Sequence, residues 1–184
     1  MRATLVRPDR EPPKVSEAKQ IAAFVAQRAS EAPFYYQDSW LDLIAGLYSY
    51  RLNRLTTTDA EGRIAGYLPL FLMDSRFTGR RLVGLPFSDH CPLLAADAAA
   101  AHRLVDQAIS LAVQEGAQYL ELRSGADAAL AERSDMVASD LYTRWTARLD
   151  VGADECWSRL KSPAQRQIKK ARRYGVTVRV ASEP

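Results

Sequence analysis

The sequence predicts an α+β (mixed α/β) domain built on one central sheet, and three observations carry that reading. The side-chain periodicities run strand, helix, helix, three strands, helix, two strands, two helices, strand, which mixes hairpin-linked strands with a helical crossover. A chain of 184 residues that is 47% hydrophobic and 26% charged can bury one full core. No GxGxxG or GxxxxGK[ST] joins a strand to a helix, and the nine glycines are scattered, so dinucleotide and nucleoside-triphosphate folds do not account for the pattern.

Taken in order, Ala3–Arg7 reads as a short strand, followed by a proline-rich turn over 8–13. Ile21, Phe24, Val25 and Ala29 recur at helical spacing across Ser16–Ser30, with Ser16 as cap. Next comes the aromatic cluster Phe34, Tyr35 and Tyr36, whose density points to core rather than to ligand stacking. Asp38 or Ser39 then caps a second helix bearing Trp40, Leu41, Ile44 and Leu47. Tyr50–Thr58 and Arg63–Met73 have strand patterns, and the turn 59–62 between them makes an antiparallel hairpin. The second strand is apolar on both faces and so belongs in the middle of a sheet covered on each side. Pro69 cannot donate to a ladder, which predicts a bulge or a place where neighbouring strands part.

Arg80–Leu85 is a further short strand. Asp97 caps a long alanine-rich helix to Glu115, stopped by Gly116, and Gln118–Arg123 is the strand after it. Ser124–Asp140 is a polar loop with one helical turn at Ala128–Glu132. Leu141–Leu149 alternates, with Leu141, Thr143, Trp145, Ala147 and Leu149 on a core face and Tyr142, Arg144, Thr146 and Arg148 on a wet or functional one. Two helices, Asp154–Leu160 and Pro163–Tyr174, lead to a terminal strand Val176–Val180.

The stretch KSPAQRQIKKARRYGV, 161–176, is the most distinctive segment. Ser162 reads as its N-cap, Pro163 as its first helical residue and Gly175 as its left-handed stop. Arg166, Lys169, Lys170 and Arg173 share one face, while Leu160, Ala164, Ile168 and Ala171 form an apolar stripe suited to a core. Like charges at i,i+4 disfavour a helix by roughly 0.2–0.5 kcal/mol per pair, which leaves two readings, a solvated face or a site for an anion. From Val151 onward eight Lys and Arg face three acids, a net +5 in a chain whose total is +3, so the preceding residues carry −2. The basic character is therefore local, which argues against nonspecific coating of nucleic acid and for docking of a defined anionic group.

Cys91 and Cys156 are the only cysteines, without paired spacing or a histidine cluster, which reads as reduced thiols in a cytoplasmic protein with no metal site. Neither an apolar signal core nor a transmembrane segment is present in the sequence.

Four segments in chain order carry a family resemblance: FYYQDSWLDLIAGLY (34–48), GYLPLFLMDSRFTGRRLVGLPFSDHCPLL (66–94), QYLELR (118–123) and LYTRWTARLDVGADECWSRLKSPAQRQIKKARRYGV (141–176). Together they resemble the FemAB-type transferases within the GNAT-like acyltransferases, a group with peptidoglycan-bridge, exopolysaccharide and exosortase members. The resemblance implies a mostly antiparallel central sheet flanked by helices. It implies a first GNAT-like domain over 1–150, and over 151–184 connecting basic helices with the first strand of an incomplete second unit. It also implies transfer of an acyl or aminoacyl group to an amine, in a cell-envelope or exopolysaccharide setting, with no tightly bound cofactor. The chain lacks the Q/R-x-x-G-x-G/A loop with which typical GNAT enzymes grip coenzyme A, so the donor stays open between acyl-CoA and aminoacyl-tRNA. The implied partners are an anionic donor or acceptor, tRNA, and a second GNAT-like polypeptide or a second copy of the chain that completes the cleft.

Amine acylation needs a base for the attacking nitrogen and donors for the oxyanion. Asp89 and His90, just after a strand in LPFSDHCP, are the polar candidates for catalysis, with turn-stabilising hydrogen bonds as the alternative role. Arg123, Arg144 and Arg148 suit either a phosphate or structural carboxylates. Lys161, Arg166, Lys169, Lys170 and Arg173 complete the candidate substrate-binding set. Cys91, beside Pro92, reads as a small buried filler rather than a nucleophile. The alternative to an enzyme is a non-catalytic module that docks an anionic partner or nucleic acid through the basic helix.

Overall fold

The computed structural model describes residues 15–124, 128–139 and 143–179. It comprises two compact units, Met1–Ser139 and Asp140–Pro184. The expected strand Ala3–Arg7 lies outside the described residues.

The first unit opens with α1 (Val15–Gln27), whose Ile21 and Phe24 are buried against the sheet. Ser16 lies within the helix rather than at its cap, because α1 already includes Val15. A 3-10 turn over Phe34–Tyr36 precedes α2 (Asp38–Tyr48), where Gln37 holds the cap position without a side-chain bond. Asp38 and Asp42 are instead turned to Arg54 Nη2, 3.3 and 3.1 Å away. Of the three aromatics in the turn, Tyr36 enters the core while Phe34 stays 53% exposed.

The sheet is built from β1 (Arg51–Thr58), β2 (Ile64–Ser75), β3 (Gly79–Val83), β4 (Leu94–Ala95) and β5 (Tyr119–Glu121). Its order is β1-β2-β3-β5, with β4 also pairing β2. All pairings are antiparallel except β3 with β5, and the crossover to that parallel pair contains α3 (Ala98–Gln114). This is a mixed α/β fold with a central, mostly antiparallel sheet flanked by helices. The buried run 65–73 shows why β2 is central, since only a strand with neighbours on both flanks and helices on both faces can bury every residue. One face meets α2 and the 3-10 turn through Arg54 and Tyr67. The other meets α3, whose Leu104 packs where Gly66 leaves room beside Thr57.

Asp97 caps α3 as its sequence position predicts, accepting from Ala100 N at 2.7 Å, and Gly116 ends it at φ 62°. A short α4 (Ala128–Ala131) supplies the expected helical turn in the polar loop.

Pro69 lies in register opposite Arg54, and the register shift with β1 falls between Thr57 and Thr58 instead. On its other flank β2 pairs β4 at Gly66 and Tyr67 and β3 from Phe71 to Ser75, so residues 68–70 face no strand there. Pro69 is at the centre of that gap. Its missing donor coincides with the point where neighbouring strands part.

The second unit contains α5 (Ala153–Arg159) and α6 (Ser162–Arg173), neither with a buried residue. Ser162 is the first helical residue of α6 and Lys161 the cap, which places Pro163 one position later than expected, still within the first turn where its missing N–H costs nothing. The C-terminal stop is as expected: Gly175 at φ 74° lets Val176 N reach Ala171 O and Gly175 N reach Arg172 O, both at 3.1 Å, which is a Schellman closure. The apolar stripe of α6 does not enter a core. Ala164, Ile168 and Ala171 are half-buried and Leu160 is 38% exposed.

Two expected strands are corrected. Residues 143–149 and 176–179 form no ladder, and Trp145 is 88% and Val178 94% exposed, so the alternating pattern does not define a core face. Alternation states which side chains would share a face, but a strand also needs a neighbour for its backbone, and neither segment has one among the described residues. Leu141, Tyr142 and Val180 lie outside the described residues.

Candidate active site

Between β3 and β4 the chain makes an excursion. Val83 pairs Phe71 and Leu94 pairs Tyr67, so residues 84–93 cross a stretch that β2 spans with 68–70. The sequence expected the third strand to run to Leu85, yet Leu85 (φ 45°) and Phe87 (φ 60°) are left-handed, which ends strand geometry at Val83. That conformation costs a side-chain-bearing residue about 1–3 kcal/mol and persists only where surrounding contacts impose it.

Those contacts come from β5 and the residues that follow it. Gly84 N donates to Glu121 O (2.8 Å), Cys91 N to Arg123 O (2.8 Å) and Leu93 N to Ser124 Oγ (3.1 Å). Arg123 bonds the excursion to β5, its Nη1 donating to Ser88 O (2.9 Å) and its Nε to Glu121 Oε1 (2.7 Å). Tyr36 Oη donates to Pro92 O and lies 3.3 Å from Cys91 Sγ. Leu85, Ser88 and Cys91 are buried, while Phe87 and Asp89 are exposed and His90 is half-buried.

His90 and Arg123 are thus brought together: His90 Nδ1 sits 3.1 Å from the Arg123 carbonyl oxygen. A carbonyl only accepts, so in the neutral ring this contact assigns the proton to Nδ1 and the lone pair to Nε2. Asp89 points outward and makes no hydrogen bond or ion pair among the described residues. The Arg123 guanidinium holds the excursion in place through Glu121 and Ser88.

Cys91 has the environment of a filler. Burial, the largest cause, pushes its thiol up to about 12, against smaller opposing effects of the Tyr36 bond and the Arg123 charge. A thiol so held stays protonated and is a poor nucleophile. Burial likewise raises Tyr36 well above its ordinary range, reinforced by Cys91. It raises Tyr67 too, whose hydroxyl is fully buried without a hydrogen-bond partner among the described residues.

The other candidate residues belong to the second unit. Arg144 is exposed, and Arg148 is ion-paired with Asp150, with Nε 3.0 Å from Oδ1. Because 143–149 is not a strand, these two arginines do not share the polar strand face expected of them. Lys161, Arg166, Lys169, Lys170 and Arg173 are exposed along α6 and make no ion pair among the described residues. Lys169 Nζ and the Arg172 guanidinium each stand 5.8 Å from the Trp157 ring centre.

Sequence reasoning did not find the aromatic ladder beside the excursion. Phe87 stacks on Tyr48 (4.6 Å between centres, 25° between planes) and Tyr48 on Tyr50 (5.4 Å, 17°). The available signal was the polar setting of Phe87 in LPFSDH, a poor place for a core phenylalanine.

No family model and no curated protein matches the chain. Among solved structures it is similar to the ribosomal-protein-alanine N-acetyltransferase from Brucella melitensis biovar Abortus 2308, with 15% identity and a TM-score of 0.48 over 72% of this chain and 92% of that one. It is also similar to a structure described as a "probable acetyltransferase", with 14% identity and a TM-score of 0.43 over 73% of this chain and 90% of that one.

Proposed function

We propose that the chain is an N-acyl transferase of FemAB type that moves an acyl or aminoacyl group onto an amine. The observation that supports this reading is the His90 geometry. An imidazole seated on the Arg123 carbonyl by Nδ1 directs its basic character to Nε2, on a rigid excursion where the sheet parts. In the proposed reaction the incoming ammonium gives one proton to His90 Nε2, the freed amine attacks the acyl carbon, and the acyl C–S or C–O bond to the carrier breaks as the departing thiolate or ribose oxygen takes the second proton from the new amide nitrogen, His90 releasing its own to solvent. Arg123 positions the histidine. Asp89 contributes a fixed negative charge that holds the ammonium before deprotonation.

The proposed donor is a phosphate-rich carrier, either acyl-CoA or aminoacyl-tRNA, and within the second unit the exposed cations of α6 are of a kind that binds phosphates. Purified chain is incubated with labelled acyl-CoA or charged tRNA and a panel of amines. His90→Gln is expected to lower transfer about 10²-fold or more, the scale of a lost general base. Unchanged transfer by His90→Gln overturns the assignment, and no transfer from either donor, by the chain alone or together with a second GNAT-like polypeptide, overturns the activity.

A second reading rests on the cations of α6 that make no ion pair among the described residues: a non-catalytic module that docks nucleic acid or another polyanion. Phosphate-backbone binding falls steeply with salt. Replacing Arg166, Lys169, Lys170 and Arg173 with Gln should abolish that binding and flatten its salt slope, whereas retained binding removes this reading.

A further inference from the structure

We infer that the outward face of the 84–93 excursion selects an amine acceptor whose skeleton carries a flat apolar ring. This inference rests on the amine-acylation reading of the same site and names its acceptor class. Two side chains of the excursion, Phe87 and Asp89, are exposed, with buried Ser88 between them. Two residues of chain place the Cα atoms of Phe87 and Asp89 at most about 7 Å apart, so ring and carboxylate leave the backbone at neighbouring points.

Phe87 is 55% exposed although its backbone is left-handed, an unusual combination for a bulky residue. One face of its ring is fixed by Tyr48, itself stacked on Tyr50, so the phenyl is held rigidly with its other side available. Such a platform offers contact area at little conformational cost, and aromatic pairs prefer offset stacking or edge contact at ring separations of about 4.5–7 Å. Asp89 supplies the complementary charge. It makes no ion pair or hydrogen bond among the described residues, and Arg123, the cation bonded to the excursion, is engaged with Glu121 and Ser88 O. A ligand matching both features is cationic at one end and planar at the other, and an arylalkyl ammonium with a two-carbon spacer has that form.

The test needs no acyl donor. The full chain is titrated by calorimetry or ligand-observed NMR with 2-phenylethylammonium, butylammonium and 3-phenylpropionate. The first is expected to bind about tenfold more tightly than either of the others, the scale of one ring contact or one charge-assisted bond. Phe87→Ala should erase the preference over butylammonium, and Asp89→Asn the preference over phenylpropionate. Both sites are exposed, and circular dichroism verifies that the variants fold. Equal binding of all three ligands, or binding indifferent to both substitutions, overturns the inference. Ring-selective binding without transfer from any donor leaves this inference standing and overturns the catalytic one, while transfer to aliphatic and aromatic amines alike does the reverse.

Discussion

Raising the pH should dismantle the first unit, because three weak acids are sealed inside it. The Cys91 thiol and the Tyr36 and Tyr67 hydroxyls are 1%, 3% and 0% exposed. Burial lifts Cys91 from an ordinary 9.0 to about 12, and lifts both tyrosines above their ordinary 10.0. A folded-state pKa above the unfolded one means that the folded chain holds the extra proton. The stability from that proton is intact below about pH 9 and is lost as pH climbs through the window above it. Each group costs about 1.4 kcal/mol per pH unit beyond its ordinary value. At pH 11 Cys91 has passed about two such units and each tyrosine about one, roughly 6 kcal/mol together, against a total stability of about 5–15 kcal/mol for a domain of ordinary size. The assay is the urea midpoint by circular dichroism from about pH 8 to 11, with tyrosinate absorbance followed in parallel. The midpoint should fall steadily above about pH 9, with two tyrosines ionising only as the fold is lost, and Cys91→Ala with Tyr67→Phe should flatten the decline. A midpoint unchanged to pH 11, or full tyrosine ionisation with a native spectrum, would refute the reasoning.

Three further outcomes test the packing. Gly66→Ala would place its new methyl 2.6 Å from Thr57 Oγ1 and 2.9 Å from Leu104 Cδ1, and should destabilise by about 1–3 kcal/mol in urea unfolding. A neutral result would show that α3 is not seated so closely on the sheet. Arg123→Ala removes the bonds to Glu121 and Ser88 O and should cost about 1–3 kcal/mol while speeding amide exchange across 84–93, and unchanged exchange there would deny its role as a clamp. Gly175→Ala forces a left-handed alanine at φ 74° and should weaken the end of α6 by about 1 kcal/mol, read as lost helical ellipticity, and an unaltered spectrum would count against the Schellman closure.

Much of the architecture was legible residue by residue. The Asp97 cap and Gly116 stop frame α3 because both act through their own backbone neighbours. The two-sided apolar run of β2 betrayed its central position, and Pro69 marked the gap in its pairing. Where expectation failed, the missing quantity was a partner. Trp145 and Leu149 alternate correctly, yet a ladder depends on what backbone lies alongside. The site was half legible: Asp89 and His90 stood out as polar residues after a strand, whereas the contact between His90 Nδ1 and the Arg123 carbonyl joins residues 33 apart in sequence.

Local chemistry therefore determined both ends of α3, the C-terminal stop of α6, the hairpin, the buried strand and the one-signed charge of α6, since each depends on residues within a few positions of one another. Only tertiary structure decided that a ten-residue excursion would be tied to β5, that Cys91 would be locked in as a protonated filler, and that Phe87 would stand rigid on Tyr48. These depend on desolvation and on contacts between distant segments, and neither exists until the chain has closed on itself.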